Sequence, residues 1–89
     1  MSERNESVFD FPCAFPVKVM GARHDDFHPT VVAIVRRHAP DTPDEAFVLR
    51  ESSNGNFVSI TATINAQSRE QLDALYRELS ACDLVNMAL

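Results

Sequence analysis

Apolar side chains take every second position in Phe15-Pro16-Val17-Lys18-Val19-Met20, with Phe15, Val17 and Val19 on one side. This alternation predicts a strand, with its proline near the start, where a lost backbone donor is tolerated. Gly21 is expected to end it. The period then changes. Phe27, Val31, Ile34, Val35 and His38 recur at helical spacing, with Val32 beside them, and predict one apolar stripe. Pro29 forces that helix to start close by, because a missing N–H is harmless only in the first turn. Asp25 and Asp26 stand where caps and negative charge suit a helix N-terminus. Arg36-Arg37-His38 fall in the last turn, Pro40 stops the helix, and residues 39–44 read as loop.

Two further alternating runs follow, Phe47 and Leu49, then Val58, Ile60, Ala62 and Ile64. Between them lies Ser52-Ser53-Asn54-Gly55-Asn56, which reads either as a ligand loop or as the bend of a hairpin. Register favours the bend. A two-residue loop at Asn54-Gly55, or a four-residue loop from Ser53 to Asn56, sets Leu49 opposite Ile60 and Phe47 opposite Ala62. Val48 then meets Thr61, and Arg50 meets Ser59. A three-residue loop sets Arg50 against Ile60, and such a one-step slip turns a whole strand to the wrong face. Burying each apolar side chain is worth roughly 1.5–3 kcal/mol, so the even loop is expected. Asn54 and Gly55 suit the positive φ of a type I′ turn.

Ser68 begins Ser-x-x-Gln, a capping box with Gln71 reaching back. Leu72, Leu75, Tyr76, Leu79 and Cys82 follow at helical spacing, and Asp83 to Leu89 alternates again. The order strand, helix, strand, strand, helix, strand predicts an α+β, ferredoxin-like βαββαβ sandwich. Right-handed crossovers give a four-stranded antiparallel sheet of order 4-1-3-2 with both helices on one face. Residues 1–10 read as a flexible tail, with Phe9 and Phe11 tucked under a single domain over residues 11–89.

Composition narrows the function classes. A chain of 89 residues with 45% hydrophobic residues is one small globular domain. The net charge of −5 and eight scattered Lys and Arg argue against nucleic acid and against anionic membrane surfaces. No stretch approaches 18 apolar residues and the N-terminus has no apolar signal core, so a soluble cytoplasmic protein is expected. Cys13 and Cys82 have no metal or redox spacing, and Cys82 is expected to be a buried thiol.

Candidate chemistry is sparse. His24-Asp25-Asp26-Phe27-His28 mimics a zinc-hydrolase motif. Pro29 and the aspartates nevertheless set the two histidines across the helix start, so no metal is expected. Gly21-Ala22-Arg23-His24 joins the first strand to the first helix and is the best place for a small anion, through helix N–H groups and the Arg23 fork. An acylphosphatase-like hydrolase on this loop is the remote enzymatic reading. The aspartates occupy that positive end, so no catalytic residue and no cofactor are assigned. Phe57 stands alone where an RNA-binding sheet would carry several aromatics.

The face of the sheet away from the helices is expected to carry Lys18, Met20, Val48, Arg50, Phe57, Ser59, Thr61 and Thr63, with Asn86. It reads either as a solvated face or as a surface for a protein partner or a second copy, with the second and fourth strands as unpaired edges.

Phe9–Gly21 (FDFPCAFPVKVMG), residues 36–40 (RRHAP), 51–66 (ESSNGNFVSITATINA) and 70–89 (EQLDALYRELSACDLVNMAL) together resemble the YbeD-like family of small uncharacterised bacterial proteins. The resemblance implies the same ferredoxin-like fold, close to the ACT domains that sense small metabolites. It also implies a link to lipoate metabolism, since family members often sit beside lipoate-attachment genes. ACT domains bind ligand through the loop after the first strand, which maps here to Met20, Gly21, Ala22 and Arg23. Two functions are therefore carried forward: a regulatory or adaptor domain acting through its sheet face and edges, and an ACT-type metabolite sensor centred on Gly21 to His24.

Overall fold

The computed structural model describes residues 11–52 and 54–89. The expected N-terminal tail, with Phe9, lies outside the described residues. Strand β1 spans Cys13–Ala22, helix α1 Phe27–His38, strand β2 Phe47–Glu51, strand β3 Phe57–Ala66, helix α2 Arg69–Ala81 and strand β4 Met87–Ala88. A short 3-10 turn, Asp44–Ala46, leads into β2. The sheet runs β2-β3-β1-β4, the expected ferredoxin-like order read from the other edge.

β1 and β3 form its antiparallel centre, paired from Cys13 opposite Ala66 to Ala22 opposite Phe57. Their alternation puts Val17, Val19, Val58, Ile60, Ala62, Ile64 and Ala66 under the helices, all buried. Phe27, Val31, Ile34 and Val35 of α1 and Leu72, Leu75 and Leu79 of α2 close the core from above. β2 pairs with β3 in the register of the even loop, with Leu49 opposite Ile60 and Arg50 opposite Ser59.

The loop is the four-residue alternative rather than a type I′ turn. Gly55, at φ 75°, takes the left-handed conformation, whereas Asn54 does not. Gly55 N–H donates to Ser52 O at 2.9 Å, and Ser52 N–H donates to Phe57 O at 2.8 Å. The Asn54 side chain accepts from Ser52 Oγ at 2.8 Å and from Asn56 N–H at 3.2 Å. An Asx-type bond of this kind stands in for the second left-handed residue.

Gly21 does not end β1. It lies inside the strand, buried, where Phe27 and the Leu84 carbonyl occupy the space a side chain would take. A Cβ there would overlap both the Leu84 oxygen and the Phe27 ring. Only glycine permits that approach.

The start of α1 also differs from expectation. Asp26 is the N-cap, but its side chain makes no capping bond. Two facts explain this. Asp26 already has helical dihedrals, φ −86° and ψ −6°. An N-cap oxygen reaches the second or third helical N–H, and the third helical residue here is Pro29, which has none. His24 supplies the side-chain bond instead, its Nδ1 accepting from Asp26 N–H at 3.0 Å.

At α2 the Ser68 oxygen accepts from Gln71 N–H at 3.1 Å, as expected. The Gln71 amide departs from the simple capping box, accepting from Gln67 N–H at 2.5 Å and donating to His38 O at 2.6 Å. It thus ties the start of α2 to the end of α1. Thr42, the buried polar side chain of the loop after α1, is satisfied by donating to Ala39 O at 2.8 Å. Cys82 is half-buried just past α2 rather than buried, and Cys13 is half-buried too. β4 is shorter than the alternation of Asp83 to Leu89 suggests, because a turn held by Val85 N–H to Cys82 O takes up its first residues.

Replacing Gly21 by Ala is expected to destabilise the fold by about 1–3 kcal/mol, the usual cost of overpacking. Urea denaturation at constant m-value measures it. Gly55→Ala should cost about 1 kcal/mol through its left-handed φ alone.

Candidate functional site

The two strand registers gather the predicted face residues into ladders. Val48, Thr61 and Lys18 form one cross-strand row, and Arg50, Ser59 and Met20 form the next. Phe57 stands beside Ala22, and Thr63 beside Pro16. All point away from the helices, because their alternates are the buried core. β4 extends both rows. Met87 pairs with Met20, and Leu89 exchanges backbone bonds with Lys18 at 2.7 and 3.0 Å. Met87 and Leu89 therefore belong to this face, although the sequence pattern did not single them out. In Asp83 to Leu89 apolar residues occupy both alternating sets, so parity alone could not choose. Asn86 donates its backbone N–H to Met20 O at 2.8 Å and lines the same surface.

The face is markedly apolar for a surface. Val48 is 53% exposed, Phe57 50%, Met87 50% and Leu89 60%. Lys18 and Arg50 are the charged side chains that the described strands project there. A depression of about 330 Å³ lies at the hairpin end of the face, with Met20, Phe57 and Val58 as apolar lining and Lys18, Arg50, Ser52, Ser59 and Asn86 as polar lining, and Glu51 at its margin.

The loop after β1 is arranged differently from the sequence-based sensor site. Gly21 is packed in the core and Ala22 is the last residue of the strand. Arg23 donates its backbone N–H to Asn56 O at 3.0 Å, and its guanidinium lies 3.5 Å from Glu51. His24 is bound to the helix start through Nδ1, and its carbonyl accepts from Phe27 N–H at 3.0 Å. A hollow of about 200 Å³ does border Arg23, His24 and His28, but Glu51 and Asp25 share it. His24 lies outside α1 and His28 within it, so the two imidazoles do not occupy successive turns of one helix. Among the described residues, no group of three or more His, Cys, Asp or Glu is placed to hold a metal ion.

Several charged side chains on the helix layer pair with each other. Glu78 of α2 binds Arg37 and accepts from His38 Nε2 at 2.7 Å. Hydrogen bonds from Arg37 and then His38 hold the Glu78 carboxyl below its ordinary range, while the Glu78 bond raises Arg37. Burial pushes the Tyr76 phenol up. Arg37 and Glu78 border a shallow groove of about 570 Å³ between the helices, and they answer each other across it. Arg36 is held by Thr42 O at 3.0 Å and Asp44 at 2.6 Å, with its guanidinium 5.4 Å above the Phe47 ring.

Fold and surface together define a small α+β domain of the ferredoxin-like, ACT-like class. The solution structure of a protein from H. pylori is similar over 100% of this chain and 93% of that one, with a TM-score of 0.72 at 18% identity. The ACT domain from the GTP pyrophosphokinase of Chlorobium tepidum matches 85% of this chain and 81% of its own, with a TM-score of 0.65 at 14% identity. At these identities the likeness shows the fold.

Sequence relatives narrow the class. Residues 6–89 match the family model described as "Protein of unknown function (DUF493)". A UPF0250 protein of Chromobacterium violaceum is 48% identical over the full length of both chains. One of Paraburkholderia phytofirmans is 44% identical, again over the full length of both. The chain belongs to this DUF493, or UPF0250, family of YbeD-like bacterial proteins. No helix among the described residues is long and apolar enough to cross a membrane.

The Glu78 pair makes a pH prediction. A carboxyl whose folded pKa is depressed contributes stability above its unfolded pKa and loses it as pH falls through the folded one. Stability should therefore decline below the ordinary carboxylate range. In Glu78→Gln that part of the decline should disappear, as measured by urea midpoints across an acid series.

Proposed function

We propose that this chain is a non-catalytic regulatory or adaptor domain that docks a protein segment of mixed apolar and acidic character on its open sheet face. The observation that carries this reading is the make-up of that face: four large apolar side chains, each at least half exposed, beside two cations. The chain as a whole carries −5, so positive charge here is set against its general balance. A solvated sheet face has no need of exposed Phe57, Met87 and Leu89 together. Several large apolar side chains exposed on one face, interleaved with polar ones, support an interaction site there. The cations select the partner, since an acidic segment is attracted and a basic one repelled. The same charges disfavour stacking this face on its own copy, which would bring Lys18 and Arg50 against their equivalents.

A second reading, a small-metabolite sensor, is favoured by the depression of about 330 Å³. That volume lies at the lower end for small-ligand sites. The ACT domain among its fold neighbours supports this reading by analogy of fold. It moves the sensing site from Gly21–His24 to the surface bounded by Met20, Phe57 and Asn86. A role in lipoate metabolism belongs to this reading.

Selection of displayed peptides against the immobilised protein tests the first reading. Enriched sequences should combine acidic and apolar residues, and binding should weaken with added salt. Arg50→Glu and Phe57→Ser should each weaken it by about tenfold, the equivalent of ~1.4 kcal/mol. Enrichment of basic sequences, or binding indifferent to both substitutions, would sink the docking proposal. Amide shifts around Met20 and Asn86 on titration with amino acids or lipoate, without selected peptides, would establish the sensor instead.

A further inference from the structure

The outer edge of β2 offers hydrogen-bonding groups that the fold does not use. Ser52 and Phe57 form a hydrogen-bonded pair at the end of the β2–β3 ladder. Such pairs alternate with non-bonded ones along antiparallel strands, so Arg50–Ser59 and Val48–Thr61 are bonded pairs as well. The N–H and C=O groups of Leu49 and Glu51 must then point away from β3, into the open edge. Phe47 points its carbonyl the same way, while its N–H is taken by Asp44 O.

Exposed edges of this kind are commonly protected by proline, lysine or a bulge. Phe47–Glu51 has no proline or lysine, its pairing with β3 is unbroken, and its two charges, Arg50 and Glu51, stand together at one end. Instead, apolar side chains flank the edge on both sides, Val48 on the open face and Leu49, 49% exposed, on the helix side.

We infer that two copies of this chain join antiparallel along the outer edges of β2, about a two-fold axis that sets Leu49 opposite Leu49 of the second copy. Each Leu49 then exchanges both backbone bonds with its equivalent, and each Glu51 N–H meets a Phe47 carbonyl. The two four-stranded sheets become one, with all helices on the same side.

Side-chain chemistry selects both this occupant and this register. The half-exposed leucines cover each other at the centre. Arg50 falls opposite Val48 of the second copy. Glu51 falls opposite Phe47 of the second copy, whose ring lies under the Arg36 guanidinium. Directly opposed residues are about 5 Å apart at Cβ, so Glu51, 3.5 Å from Arg23 in its own chain, comes beside the Arg36–Asp44 pair across the junction. Sliding one step one way faces Arg50 with Arg50. Sliding the other way brings Glu51 against Glu45. Both oppose like charges, which destabilises cross-strand pairs.

This pairing joins the two open faces side by side with Val48 and Arg50 at the seam, whereas Leu49 lies on the helix side, so Leu49→Lys tests the pairing without altering the docking face. A cysteine replacing Leu49, with Cys13→Ser and Cys82→Ser, reads the register directly. Opposed residues of a bonded pair lie about 5.5 Å apart at Cα, within disulfide range. Under mild oxidation Leu49→Cys should crosslink into dimers, while Val48→Cys and Arg50→Cys should not. In the unaltered chain, sedimentation equilibrium should show a dimer, with Leu49 and Glu51 amides protected from exchange as concentration rises. Leu49→Lys should abolish the dimer and leave the circular dichroism spectrum unchanged. A monomer at about 1 mM, crosslinking through the other positions, or association that survives Leu49→Lys would overturn the inference.

Discussion

The register in which β3 lies against β1 is the constraint on which the rest of this molecule depends. Ten consecutive partner pairs hold the two strands together at the centre of the sheet. Side chains alternate with period two, so this one alignment decides the face of every residue on both strands. Val58, Ile60, Ala62, Ile64 and Ala66 go under the helices, and Phe57, Ser59, Thr61 and Thr63 go outward. β2 inherits its own parity from β3, and β4 from β1. The open face is therefore the complement of the core. No residue on it can be moved without moving one in the core.

Helices on one side of such a sheet leave two kinds of surface with different duties. On the helix side, polar groups answer one another. Glu78 bridges to Arg37 and His38, Gln71 ties the two helices end to end, and Arg36 secures the loop after α1. The junction of β1 with α1 is equally committed. Gly21 admits the Phe27 ring and the Leu84 carbonyl, His24 binds the helix start, and Arg23 meets Glu51. The opposite face and the edge of β2 are built differently. There apolar side chains stand beside cations, and backbone groups point outward from the edge. Binding capacity on this fold follows from which side the helices cover.

Where local pattern and local chemistry agreed, the fold was readable residue by residue. The even hairpin is the clearest case, because apolar partners could face each other in only one of the two parities. The capping of α2 by Ser68 is another, since the bond joins groups three residues apart. Features that depend on distant chain segments were not readable. Gly21 looked like the end of a strand, yet it serves Phe27 and Leu84, which approach it from elsewhere. Asp26 looked like a cap, but its own dihedrals and Pro29 removed the geometry for one. Gln71 reaches a carbonyl that is 33 positions away.

For the candidate surface the division is the same. The sequence by itself determined element order, the parity of β1, β2 and β3, and hence Lys18, Met20, Val48, Arg50, Phe57, Ser59, Thr61 and Thr63 as one face. These follow from a period of two, which a linear pattern carries in full. Only the tertiary structure decided that Met87 and Leu89 complete that face, because the last strand holds apolar residues in both parities and takes its orientation from pairing with β1. It also decided that the loop after β1 is occupied by its own contacts, and that Leu49, core-facing by parity, lies half exposed at the edge. Parity assigns a side chain to a face, but only the placement of the helices determines how far that face is covered.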